Sequence, residues 1–234
     1  MNYSAIDQAY SMLWNQFKDA CKQGSAYVRA KDTIGFLCQR DESVPVVTHV
    51  TSLLYLRDWP VKSTTTRGKV VDILVKGAES YKLDEEIITQ SIVKVQYFSI
   101  EKDVATPLIG VHYDFNGVAQ PAHPIFHAQL AQLEDFAAGD LDSVGFRRKI
   151  GGREIKLLST VKLPTPHMGL CSVLLGLTAD HLPSKAFNLF LGGVRKNKSI
   201  NWNAPCAHLR EGIKKSGGYP HSHYWYEPCT TTAG

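Results

Sequence analysis

The chain has 234 residues, 44% hydrophobic and 21% charged, with a formal net charge of +4 at pH 7. That is close to ordinary globular usage, so the chain is expected to form one large domain with a sizeable core, or one domain with a small appendage. No apolar run approaches the ~20 residues of a membrane-spanning helix, and the mild charge permits nucleic-acid contact without indicating it, because no arginine-rich stripe exists.

Five cysteines, Cys21, Cys38, Cys171, Cys206 and Cys229, are present, an odd number with no CxxC pair. This argues against a disulfide framework or a cysteine zinc site and for a reducing compartment. Met1 leads straight into an amphipathic pattern, not a secretory signal. The expectation is a cytoplasmic protein with no membrane partner.

Ser4 suits an N-cap. Ile6, Ala9, Tyr10, Leu13, Trp14, Phe17 and Cys21 then recur at spacings of three and four, which predicts a helix ending at Gly24. Tyr27–Ala30 and Phe36–Cys38 read as short strands, and Arg40–Ser43 as a charged turn. Val46–Leu56 is apolar enough to be buried, but periodicity does not separate helix from strand there. Trp59-Pro60 ends that segment. Val70–Val75 is β-branched and short, hence a strand. Lys76–Glu86 is polar and reads as an exposed loop or hairpin tip. Within Ile87–Ile100, residues Val93–Tyr97 alternate cleanly, and this strand should pair antiparallel with the next through Glu101-Lys102-Asp103.

The stretch Leu108–Leu133, LIGVHYDFNGVAQPAHPIFHAQLAQL, carries the most informative polar pattern. Ile109, Val111, Tyr113 and Phe115 alternate with Gly110, His112 and Asp114, so His112 and Asp114 project from one face of a strand. Asn116-Gly117 stops it. Pro124 suits the first turn of a helix, and Phe126, Leu130, Leu133 and Ala137 follow at helical spacing. On that helix His123 and His127, four apart, stack one turn above the other. Three imidazoles and a carboxylate around one point are ligands for Zn, Ni, Fe or Mn, so a divalent transition metal is the cofactor this cluster implies. The same groups serve metal-free acid–base chemistry. No Glu follows His123, so the pattern is not HExxH. The simpler reading leaves His112 and Asp114 on a solvated sheet face and the other two histidines at a helix start.

Gly139–Gly152 reads as a linker or exposed loop, and Ile155–Leu163 as a strand. Thr165-Pro166 predicts a helix start, followed by Leu170, Val173, Leu174 and Leu177 and an end near His181. Pro183-Ser184 starts another helix, with Phe187, Phe190, Leu191 and Val194 apolar and Gly192-Gly193 weakening its end. The remainder, 197–234, reads as an aromatic C-terminal strap on a single domain spanning 1–234; His221 and His223 lie there beside Tyr224, Trp225 and Tyr226. They offer either further metal ligands or a stacking surface for bases.

Together these elements predict an α+β fold: a mainly antiparallel sheet with N-terminal and C-terminal helices packed on one face. No GxSxG, GxGxxG, phosphate loop, kinase or EF-hand signature is present. The segments HYDFNG, PAHPIFH and LPTPHMGLCSVLLGLTADHL, between about His112 and Leu182, resemble uncharacterised bacterial proteins of mobile elements and anti-phage defence loci. That resemblance implies a bacterial protein working beside other products of its operon and names no catalytic residue. The expected function is a non-catalytic subunit of a multi-protein assembly. The alternative is a hydrolase or nuclease in which His112, Asp114, His123 and His127 hold a metal that lowers the pKa of a bound water.

Overall fold

The structure is a computed structural model, and it describes residues 3–42, 47–62, 68–82, 87–116, 126–131, 138–151, 162–164 and 169–197. The predicted strap lies outside these residues except at Asn197. The architecture is α+β, as expected. Helix α1 spans Tyr3–Gln23 and is followed by strand β1 (Tyr27–Ala30), a single 3₁₀ turn (Lys31–Thr33) and β2 (Phe36–Asp41). Four long strands come next: β3 (Val47–Pro60), β4 (Val70–Lys82), β5 (Ile87–Glu101) and β6 (Val104–Asn116). The rest of the described chain is β7 (Phe126–Ala131), α2 (Ala138–Ser143), β8 (Lys149–Ile150), β9 (Lys162–Pro164), α3 (Leu170–His181) and α4 (Ser184–Lys196).

Among the described residues the strands form one nine-stranded sheet in the order β1-β3-β4-β5-β6-β7-β9, with β2 also on β3 and β8 also on β6. Every pairing is antiparallel except the short β6–β8 contact. The β5–β6 turn works as the sequence predicts: Lys102 and Asp103 both take positive φ, 47° and 64°, the type I′ signature that matches strand twist.

The α1 stripe packs on one sheet face. Ile6, Tyr10, Leu13, Phe17 and Cys21 are buried there with Val50, Leu54, Ile73, Val75 and Val93, and α3 and α4 extend the same layer. Phe17 sits with its ring 5.5 Å from Phe190 of α4 and 6.1 Å from Trp59 of β3. Burying one such ring stabilises the fold by roughly 2–3 kcal/mol. The end of α1 differs in detail from expectation. Gly24 is not the left-handed residue; Ser25 is, at φ 53°. Ser25 N–H donates to the Lys22 carbonyl and Ala26 N–H to that of Cys21, which closes the helix one residue later.

Four sequence expectations are corrected. Lys76–Lys82 continues β4 as a paired strand, not a loop. Phe126–Ala131 is strand β7, not a helix. Residues 139–151 are not a linker: α2, Val144 and Phe146 fold back over the opposite sheet face and bury Leu53, Tyr55, Leu74 and Phe98 in a second, smaller core. Helix α3 begins at Leu170 with Gly169 as its cap residue, four positions beyond Thr165.

Gly77 shows how closely α3 approaches the sheet. A Cβ there would lie 2.1 Å from Leu170 Cδ2. Gly77→Ala is therefore expected to destabilise by about 1–3 kcal/mol, the usual cost of overpacking. Chemical denaturation checks this, and an unchanged midpoint would refute the close contact.

Candidate functional site

Register decides which side chains share a face. Directly opposed residues of antiparallel strands are same-face neighbours, and so are residues two apart along one strand. Leu53, Lys76, Lys94, His112 and Gln129 therefore form one transverse row across β3 to β7. Thr51, Ala78, Ile92, Asp114 and His127 form the next row. Leu53 belongs to the smaller core, so both rows lie on the face turned away from α1, α3 and α4.

On that face is a groove of about 280 Å³. The strand residues of β3, β4 and β5 make its floor, and Ile34 and Leu37 stand along its wall. Asp140 of α2 closes one end, its Oδ2 2.5 Å from Lys76 Nζ. Ile34 and Leu37 are 48% and 41% exposed, so large apolar groups face water beside cations.

The structure places the predicted site residues as follows. His112 and Asp114 lie on one face of β6, as the alternation requires. His127 reaches the site on a different element from the one expected: it belongs to β7, directly across from Asp114 in the register. The reason is that residues four apart share a face in a strand as well as in a helix, so the spacing of Phe126 and Leu130 fits both. His123 and the side chain of His127 lie outside the described residues, as do His221 and His223. Among the described residues no group of three or more His, Cys, Asp or Glu side chains is placed to hold a metal ion.

The buried titratable groups are tied into the scaffold. Glu79 of β4 is 2% exposed. Its Oε1 accepts from Ser91 Oγ at 3.0 Å and from the Leu170 N–H at 2.9 Å, and its Oε2 accepts from the hydroxyls of Tyr10 and Tyr81. The carboxylate thus caps α3 from another element and meets the positive end of its dipole. Burial first, and then the charge of Glu79, push both phenols well above their ordinary value, so they remain donors.

A second cluster surrounds Asp72, which is fully buried. Its Oδ2 accepts from Tyr55 Oη at 2.6 Å and from Arg148 Nε at 2.7 Å, and its Oδ1 accepts from the Asp58 N–H at 2.8 Å. Asp58 sits at φ 54° in the bulge between Leu56 and Trp59, so Asp72 holds that irregularity in place. Burial pushes the thiols of Cys21 and Cys38 up to about 12, and burial followed by Glu79 raises that of Cys171, so none is a nucleophile at neutral pH.

His181 closes α3. Its Nδ1–H donates to the Pro60 carbonyl at 2.8 Å, and its ring packs on Trp59 and Tyr97. Burial lowers its pKa below the ordinary 6.5; the bond to Pro60 and the charge of Asp180 oppose that only in part, while Lys62 adds to it. The unfolded chain therefore takes up this proton first as pH falls. The stabilisation is complete above about pH 6.5 and is lost as pH drops through that value toward the lower folded pKa. His181→Asn should flatten the fall in urea midpoint between pH 7 and 5.5. Equal falls in both proteins would remove His181 as the cause.

Sequence reasoning missed the groove. Lys94 alternates visibly in β5, but Lys76 and Asp140 fell in segments read as loops, and only register aligns the two lysines. No protein-family model matches this chain, and neither a curated protein nor a solved structure matches it at a significant level.

Proposed function

We propose that the protein is a non-catalytic interaction subunit of a bacterial multi-protein assembly, of the kind encoded beside mobile elements and anti-phage loci. The observation that carries this reading is the adjacent pair Leu108 and Ile109 on β6, 56% and 47% exposed. Two large apolar side chains left in water at consecutive positions of one strand are what a docked partner buries. The scaffold roles of Glu79, Asp72 and Arg148 agree with it, since each is engaged in holding elements together. The test is co-purification of the native chain with the products of its flanking genes. A Leu108→Glu, Ile109→Glu double variant should lose the partner with an unchanged thermal midpoint. A chain that stays monomeric and alone, yet turns over substrate, overturns the reading.

A second reading, a metal-dependent or histidine-based hydrolase acting on nucleic acid or nucleotides, is supported by the register that sets His127 across from Asp114 and His112 on the same face. Metal analysis of purified wild type and of His112→Ala, Asp114→Ala protein separates the two readings. Equal metal content and equal activity in both would dismiss the hydrolase.

A further inference from the structure

We infer that Ser80 is an acyl acceptor, which takes one acyl group from an activated thioester with His49 as the base. The inference uses neither the surface at Leu108 and Ile109 nor the pair His112 and Asp114, and a chain acylated once turns over no substrate. It rests on a transverse row that register builds. Gln39 of β2, His49 of β3, Ser80 of β4 and Gln90 of β5 stand opposite one another in turn. His49 and Ser80 are two residues from Thr51 and Ala78 along their strands, so this row shares the open sheet face with the groove. Its central pair is in contact: Ser80 Oγ lies 2.9 Å from His49 Nδ1. A hydroxyl within hydrogen-bond reach of an imidazole is the first requirement of an activated serine. Ser80 is 9% exposed, while the flanking Gln39 and Gln90 are open to solvent.

In the step, Ser80 Oγ attacks the thioester carbonyl carbon, a C–O bond forms and the C–S bond breaks. The hydroxyl proton passes to His49 Nδ1 and from there to the leaving thiolate, so the products are a serine ester and a free thiol. With Nδ1 accepting, the imidazole keeps its own proton on Nε2. Gln39, opposite on β2, is the residue that register offers to hold that N–H. Gln90, opposite Ser80 on β5, offers an amide donor to the oxyanion that forms during attack. The groove gives the acyl chain its place. Ala78 and Ile92 of its floor form the next row, about 7 Å from Ser80 along the strands, and Leu37 continues that row on the wall. A chain laid over this row takes water off Leu37, which is 41% exposed. The charges that line or border the groove are Lys31, Lys76, Lys94, Asp140 and Asp114. An uncharged acyl chain draws nothing from them, so their balance does not enter.

The experiment incubates the full-length chain with the octanoyl thioester of N-acetylcysteamine and follows peptide mass and free thiol. An octanoyl group should appear on the peptide that carries Ser80. Ser80→Ala should lose that label, and Ser80→Cys, which keeps a nucleophile in place, should retain it. His49→Ala should slow labelling about a hundredfold, within the usual worth of a general base. Gln90→Leu should also slow it about a hundredfold, the loss of one oxyanion donor. Gln39→Leu should slow it and shift the His49 proton between Nε2 and Nδ1, read by nitrogen NMR; Gln39→Glu, which keeps an acceptor, should do neither. Ala78 is exposed, so Ala78→Trp should block octanoyl transfer and leave acetyl transfer and the thermal midpoint unchanged. No label on Ser80 at millimolar thioester, an equal rate in His49→Ala, or thiol release that continues once labelling is complete each overturns the inference.

Discussion

Glu79→Ala is expected to cost about 3–5 kcal/mol, a large share of the total stability of a domain. The substitution leaves the Ser91 hydroxyl, the Leu170 N–H and the Tyr10–Tyr81 pair without their common acceptor. Each buried donor stranded in this way costs about 1–3 kcal/mol, partly offset because the two phenols still bond each other at 2.6 Å. Glu79→Gln keeps one acceptor oxygen and should cost less than the alanine variant. Urea unfolding at pH 7 measures both, and a Glu79→Ala protein within 1 kcal/mol of wild type would refute the network. Alkali gives a separate readout. Because Tyr10 and Tyr81 are raised in the fold, their contribution is complete below about pH 10 and is lost as pH rises past that value.

The second large effect is expected at Arg148. Three carboxylates surround it, but they are not equal: Asp103 is 95% exposed in its side chain, Asp58 48% and Asp72 fully buried. Exposed pairs contribute about 0–1 kcal/mol, whereas stranding a buried charge costs about 3–5 kcal/mol. Arg148→Met should therefore destabilise strongly through Asp72, and Asp103→Ala should be nearly silent. Adding Asp72→Asn to Arg148→Met should recover part of the loss, since the buried charge is gone. A double-mutant cycle on chemical denaturation supplies the coupling energy. Additivity of the two substitutions would show that Asp72 does not depend on Arg148.

Much of this fold is legible in the sequence, and the reasons for the failures are specific. The stripe from Ile6 to Cys21 and the alternation in β5 and β6 each follow one period over many residues, so only one element fits. Strand β7 fails that test: Phe126, Ala128 and Leu130 alternate with His127 and Gln129, yet Phe126 and Leu130 are also one helical turn apart. Pro124 tips the sequence toward helix, and the hydrogen bonds offered by β6 decide for strand. The end of β4 looks solvated because Glu79, Ser80 and Lys82 are polar. Its burial becomes intelligible only with Tyr10, 69 residues away, supplying a donor. For the candidate site, the shared face of His112 and Asp114 is written in their spacing, while the alignment of Lys76 with Lys94 is set between strands and leaves no local trace.

The meeting of α1 and α4 has a consequence for how the molecule is made. Asn197, just past α4, donates through Nδ2 to the Ala9 carbonyl, 188 residues earlier. Phe190 covers Phe17 from the same direction. During synthesis the part of the first helix that meets α4 stays uncovered until nearly two hundred residues have emerged. Nascent chains stalled before Ser184 should accordingly be cut by protease within α1, whereas chains extended beyond Asn197 resist. Holdase chaperones have their longest opportunity in that interval, which ends when the last described helix seals the layer that the first one opened.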